Sequence, residues 1–171
     1  MILPALPRGY RLPVLVVVHL PPDKQSILAD LFRSKCLVDV REAEDKEPLQ
    51  GGTVYFAPPD YHLLVEHNRC LSLSSEEPVN YSRPSIDVLF ESAADAFGEA
   101  LVGVVLTGAS NDGASGLKAI CTAGGVTIVQ DPNTAHVATM PRAALVACPG
   151  SLVLSLEMIA TYLRNLGGQS S

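Results

Sequence analysis

The 171 residues contain no tryptophan, only four cysteines and an excess of acidic over basic side chains. No apolar run approaches the roughly 20 residues of a membrane-spanning helix, so insertion into a membrane is not expected. Cys36, Cys70, Cys121 and Cys148 never fall into a C-x-x-C spacing and do not cluster with histidine, which argues against a zinc site. They read as reduced, mostly buried thiols of a cytoplasmic protein. Twelve Lys and Arg stand against 18 Asp and Glu, a formal charge of −6, and a chain this acidic lacks the basic patch that nucleic-acid binding needs. No G-x-G-x-x-G follows a strand-like run. Gly108 and Gly113 have the spacing of a phosphate-binding loop, but Ala114 and Ser115 stand where Lys and Ser/Thr would hold phosphate and magnesium. Nucleotide sites are therefore disfavoured, and no metal or cofactor is expected. Met1-Ile2-Leu3-Pro4-Ala5-Leu6-Pro7 has no basic residue ahead of its apolar ones, so it does not read as a signal peptide.

What is present is apolar and finely punctuated. Hydrophobic residues make up 47% of the chain, too many for a disordered one, and 13 glycines and 13 prolines separate short segments. The length suits one domain. Val14–Val18, Leu101–Leu106 and Val126–Val129 are continuous runs without alternation, as expected of strands covered on both faces in a parallel sheet. Thr53–Ala57 and Ser151–Leu154 read as further strands, and His62–Glu66 with Cys70–Leu73 reads as a hairpin turning at Asn68-Arg69. Helices are predicted from Asp23 to Lys35, from Pro84-Ser85 to Gly98, after Gly113, from Met140-Pro141 with proline at the first helical position, and after Ser155. In the second of these, Ile86, Leu89, Phe90, Ala93 and Phe97 form one core-facing stripe. The acidic stretch from Asp39 to Glu47 reads as a solvated loop around a short strand at Val38–Val40. Strands alternating with amphipathic helices predict an α/β fold: a doubly wound, mostly parallel sheet with helices on both faces and a β-hairpin. It spans residues 1–166 and leaves 167–171 as a disordered tail.

In such sheets ligands bind beyond the carboxyl ends of the strands. His19 ends the first strand. Thr107, and Asp112 five residues later, follow the Leu101–Leu106 strand, and Gln130 and Asp131 end the next. A histidine and an aspartate on neighbouring strand ends suit a general base and the carboxylate that orients it. Each has a purely structural alternative. A histidine at a strand end often only packs, and Asp112 is well placed to cap the helix after Gly113.

Six blocks occur in order: His19-Leu20-Pro21; Ala57-Pro58-Pro59-Asp60-Tyr61-His62-Leu63; Arg83-Pro84-Ser85-Ile86-Asp87-Val88-Leu89-Phe90; Leu106-Thr107-Gly108-x-x-x-Asp112-Gly113-Ala114-x-Gly116-Leu117; Gln130-Asp131-Pro132; and Met140-Pro141-Arg142-Ala143-Ala144. Together they resemble the catalytic domain of the bacterial chemotaxis protein-glutamate methylesterases over residues 1 to about 166. The resemblance implies a serine hydrolase of the cytoplasm that removes methyl groups from glutamyl esters on the cytoplasmic domain of chemoreceptors, and in some members deamidates receptor glutamines. By resemblance His19 is the base, Asp112 the orienting aspartate, and the backbone N–H of Ala109 an oxyanion donor. His62, Arg83 and Arg142 lie in or beside the blocks and are candidates to border the same face; His62 could equally open a hairpin strand, and the two arginines could cap helix ends.

The family carries its nucleophile in a Gly-x-Ser-x-Gly-Gly turn after a first strand, and the 171 residues contain no Gly-x-Ser-x-Gly. Ser110 stands where the family has glycine, Ala109 where it has methionine and Thr139 where it has glycine. Met1–Leu6 looks like the end of a helix stopped by Pro7 and Gly9. The expectation is a domain truncated at its N-terminus, without its first central strand and nucleophile turn, which upstream coding sequence would supply. The alternative is a catalytically inactive remnant that binds a receptor or kinase.

Overall fold

A computed structural model describes residues 1–21 and 27–168. Its strands and helices alternate through most of the chain, in the order β1 (Val14–Val16), α1 (Leu28–Arg33), β2 (Asp39–Glu42), β3 (Thr53–Phe56), β4 (His62–Val65), β5 (Leu71–Ser74), α2 (Ile86–Phe97), β6 (Val102–Val105), α3 (Ala114–Thr122), β7 (Val126–Gln130), α4 (Thr139–Ala147), β8 (Leu152–Leu154) and α5 (Leu156–Gly168). The architecture is the expected α/β fold with parallel strands and an antiparallel hairpin, β4 with β5.

The parallel strands form two sheets of three, ordered β1-β3-β2 and β6-β7-β8. Val14 pairs with Val54 and Val40 with the same residue from the other side, so β3 is central and every residue of it is buried. Val104 pairs with Ile128, and Ile128 with Leu152, which makes β7 central in the second sheet. Consequently β1 and β6 are both edge strands. The Val14–Val18 run predicts a strand covered on both faces, yet Val14, Leu15 and Val16 are only half-buried, because β3 is their sole ladder partner among the described residues.

Helix α2 joins the apolar clusters. Its Leu89 and Ala93 pack with Tyr55, Leu63 and Leu71 against the hairpin, while Ile86 packs with Val105, Leu117, Val129 and Met140 on the second sheet. A third cluster, with Leu6, Tyr10, Val40, Val54 and Phe56, covers the outer face of the first sheet. Each Val, Leu, Ile, Phe or Met side chain buried at this level contributes about 1.5–3 kcal/mol. Ser85 caps α2 as expected, accepting a hydrogen bond from the Val88 amide at 3.5 Å, and Gly98 follows its last residue.

Four boundaries differ from the sequence reading. Asp23 lies outside the described residues, and α1 stops at Arg33 rather than Lys35, where the chain tightens so that the amides of both Lys35 and Cys36 donate to the Phe32 carbonyl. Pro141 is the third residue of α4, not the first, which still spares an internal amide because the first turn has none to satisfy. Only Leu3–Ala5 form a short 3-10 turn near the start. Helix α5 continues past Leu166 to Gly168, since the Gly167 carbonyl accepts from the Arg11 amide and Gly167 itself is buried with no room for a Cβ against the Tyr10 ring. No helix among the described residues is long and apolar enough to cross a membrane.

Candidate active site

The strand-end residues converge. His19 follows β1 and Asp112 lies in the loop between β6 and α3, 93 residues later, and the His19 Nε2 stands 2.8 Å from Asp112 Oδ2. Asp112 is 1% exposed. Besides His19, its Oδ2 accepts the Ile86 amide at 2.6 Å, and its Oδ1 accepts the Ser85 hydroxyl at 2.7 Å, the Asp87 amide at 3.2 Å and the Asn80 side-chain amide at 3.2 Å. Burial alone would raise the pKa of this carboxyl. The hydrogen bonds from His19, Ile86, Ser85 and Asp87 outweigh it and hold the pKa down at about 2. Asp112 is therefore an anion at neutral pH and can only accept, so Nε2 of His19 carries the proton in this pair. A neutral His19 then has its lone pair on Nδ1, which has no hydrogen-bond partner among the described residues.

The alternative role foreseen for Asp112, capping its own α3, does not occur. Asp112 instead accepts from the first amides of α2, and Asp87 of α2 returns the service: its Oδ1 accepts the amides of Gly113 at 3.0 Å and Gly116 at 2.7 Å, at the start of α3. The two helices cap each other. This needs a very close approach, because a Cβ on Gly116 would fall 2.5 Å from the Cβ of Phe90 and 3.0 Å from the Cα of Asp87. Burial pushes the Asp87 carboxyl up, and the neighbouring Asp112 charge adds to it, against the bonds from Gly116, Asn80 and Gly113.

The rest of the loop is fixed from the neighbouring strand. Gln130, buried at the end of β7, accepts the Thr107 amide at 2.9 Å, and the Thr107 hydroxyl donates to the Val137 carbonyl at 3.0 Å. Gly108 exchanges backbone bonds with Val137 and Met140, and a Cβ there would strike the Met140 sulfur. Beyond this clamp Ala109 is exposed, and its amide has no acceptor among the described residues. The Ser110 hydroxyl accepts the Asp112 amide at 2.9 Å, closing a local turn. Asp131, the other polar strand-end residue, accepts the Asn133 amide at 2.9 Å in a turn of its own.

The family model described as CheB methylesterase matches residues 1–163. The chain belongs to the CheB methylesterase family. A protein of Leptospira interrogans named putative protein-glutamate methylesterase/protein-glutamine glutaminase is 48% identical over 159 residues, covering 93% of this chain and 82% of that protein. A protein-glutamate methylesterase/protein-glutamine glutaminase of Archaeoglobus fulgidus is 41% identical over 148 residues, 85% of this chain but 42% of the relative. The crystal structure of the Thermotoga maritima CheB methylesterase catalytic domain superposes with a TM-score of 0.90 at 32% identity, over 96% of this chain and 89% of that one.

The remaining candidates separate. Arg83 borders a concavity that it shares with Phe56, Asp60, Pro84 and the two chain neighbours of His19, Val18 and Leu20, but not with His19 itself. Its guanidinium is committed to Asp60 Oδ1 at 2.7 Å and to the carbonyls of Ser75 and Glu76. Arg142 is exposed on α4, two residues after the Met140 that packs on Gly108, and its side chain makes no hydrogen bond among the described residues. His62 is not at a border. It is 2% exposed, its Nδ1 accepts the Ser85 amide at 3.2 Å, and its Nε2 therefore donates to the Glu77 carbonyl at 2.9 Å. Its Nδ1 thus seats Ser85, whose hydroxyl in turn donates to Asp112, while its Nε2 is tied to the Glu77 carbonyl. Asp87 and Asn80 were not singled out by sequence reasoning. Asp87 lies inside a family block but reads locally as an ordinary first-turn acid.

Proposed function

We propose that His19 and Asp112 are the base and the orienting carboxylate of a protein-glutamate methylesterase acting in the cytoplasm on glutamyl methyl esters of chemoreceptors, with receptor glutamines as a related substrate. The observation that carries this reading is the 2.8 Å contact between His19 Nε2 and an Asp112 held ionised by its hydrogen bonds. In this chemistry a serine hydroxyl adds to the ester carbonyl as His19 Nδ1 takes its proton. Asp112 stabilises the imidazolium through Nε2–H, and the Ala109 amide meets the oxyanion. Collapse returns the proton to the leaving methoxide as methanol. Water then repeats the cycle on the acyl-serine and releases the glutamate carboxylate.

We infer that the serine of this scheme is not among those of the 171 residues. Ser110 is engaged in its own turn with the Asp112 amide, and no Gly-x-Ser-x-Gly occurs. We assign it to a strand and turn adjoining the edge of β1. The test measures methanol release from a peptide bearing glutamyl methyl esters. The 171-residue chain should be inert. Fusion of a strand–Gly-x-Ser-x-Gly-Gly–helix segment ahead of Met1 should give turnover that His19→Ala abolishes. A serine-directed phosphonate forming an adduct within the 171 residues would overturn the assignment of the serine. A fused protein that stays inert yet binds receptor would make the chain a binding module, the second reading that the lack of the motif favours.

A further inference from the structure

Three of the five groups that donate to Asp112, from Ser85, Ile86 and Asp87, are buried and His19 is half-buried, whereas Asn80 is exposed. Asn80 reaches the pair from outside. It belongs to a tight turn closed by Val79 and Ser82, whose amides donate to each other's carbonyls at 3.0 and 2.9 Å. The two central residues, Asn80 and Tyr81, have φ of 51° and 62°, the left-handed conformation that asparagine tolerates better than most residues. Held this way, one Nδ2 group donates to Asp87 Oδ2 at 2.8 Å and to Asp112 Oδ1 at 3.2 Å. An amide nitrogen has two hydrogens, so each carboxylate takes one.

Capping does not require this bridge. Asp87 already has the Gly113 and Gly116 amides, and Asp112 already has Ser85 and the start of α2. What the bridge adds is a solvent-side stop on Asp112 Oδ1, the oxygen turned away from His19. Resting on the role given above to His19 and Asp112, we propose that Asn80 is a positioning residue. It adds the outermost donor to Oδ1 of a carboxylate whose rotation Ser85, Ile86 and Asp87 already hold, and it keeps water off the pair so that the His19 Nε2–H bond to Oδ2 stays dry.

The His19 Nε2–H proton reports this directly in the 171-residue chain, with or without esterase activity. Bonded to a carboxylate and shielded from water, it should give a downfield resonance in nitrogen-15-edited NMR, assigned by its loss in His19→Gln. Two variants test the role. Asn80→Gly removes both donors at a φ that glycine accepts without strain. The swap Asn80→Asp with Asp87→Asn preserves the charge count: the amide at position 87 can still accept from Gly113 and Gly116 and now donates to position 80, but Asp112 Oδ1 then faces a carboxylate in place of its outer donor. The expected result is a resonance broadened by water exchange or lost in both variants, with the swap melting close to the parent. A resonance unchanged in either folded variant overturns the proposal. So does one that recovers in the swap together with the melting temperature, which would make Asn80 merely a tie to Asp87. Cooperative unfolding lost in both variants would make it a structural residue and overturns the proposal equally. Esterase failure with an Asn80-sensitive resonance would remove the proposed function and leave the positioning role standing.

Discussion

Asp112 and His19 touch at 2.8 Å but are held in opposite ways. The aspartate is enclosed by two helices that cap one another, with four donors besides His19 fixing both of its oxygens. The histidine follows an edge strand, its side chain is 27% exposed, and Asp112 is its sole hydrogen-bond partner among the described residues. One half of the pair is rigid before any ligand arrives, and the other takes its orientation from the first. An acceptor preorganised in this way costs no reorganisation when an imidazolium forms beside it, which is what the role proposed for Asp112 requires. The asymmetry also means that the two residues should contribute very unequally to stability.

The largest expected effect breaks the pair from the aspartate side. Asp112→Ala leaves the Ser85 hydroxyl and the Ile86 and Asp87 amides buried without an acceptor, and should cost about 3–5 kcal/mol. His19→Ala removes a half-exposed ring from a carboxylate that keeps its other donors, and should cost about 1 kcal/mol or less. Urea unfolding of both variants at neutral pH measures the difference. Equal losses would mean that His19 is as deeply built into the fold as Asp112, and the contrast would fail.

Acid should sharpen the same contrast within the α2–α3 junction. The folded pKa of Asp112 is about 2, below its ordinary 3.8, so its stabilisation is complete above about 4 and is lost as pH falls toward 2. The shift corresponds to about 2 kcal/mol. Asp87 has the opposite sign: its folded pKa is raised, so ionisation costs stability at neutral pH, and that cost disappears as pH falls through its folded pKa. Stability from this pair should therefore rise on mild acidification and then fall steeply below about 4. Unfolding free energies from pH 7 down to 2 check this, and in Asp87→Asn the first rise should shrink to what Glu42 and Glu91, also raised by burial, contribute, while the later fall remains.

Much of this arrangement is legible in the sequence, for identifiable reasons. The β6 and β7 runs and the stripe of α2 are local patterns that packing reinforces, so their elements lie where expected. His19 and Asp112 are visible because strand ends collect functional side chains and because the six blocks resemble a family. The mutual capping is not legible. Capping signals are read locally, so Asp112 points to its own α3 and Asp87 to its own first turn, while the real bonds cross between helices. They depend on Gly116, whose missing side chain lets α2 come close. The half-burial of β1 is not legible either, for a related reason. A β-branched run reports what a strand could bury, whereas its exposure depends on how many neighbours pair with it, and β1 has one.

The smallest expected effect concerns the turn that reaches the rigid half from outside. Asn80 and Tyr81 both adopt positive φ, but only Asn80 uses its side chain inward; Tyr81 is fully exposed at φ 62°. A bulky residue in the left-handed region sacrifices about 1 kcal/mol relative to glycine there, and an exposed ring recovers none of it through burial. Glycine would lose some of that advantage through its greater freedom in the unfolded chain. Tyr81→Gly should therefore stabilise the protein, by somewhat less than about 1 kcal/mol, and leave the His19 Nε2–H resonance in place because Asn80 keeps its turn. Urea unfolding and the NMR signal measure both halves of this statement. Destabilisation on removing the tyrosine would show that its ring supports the turn, and the rigidity of the aspartate side would then extend to the surface of the molecule.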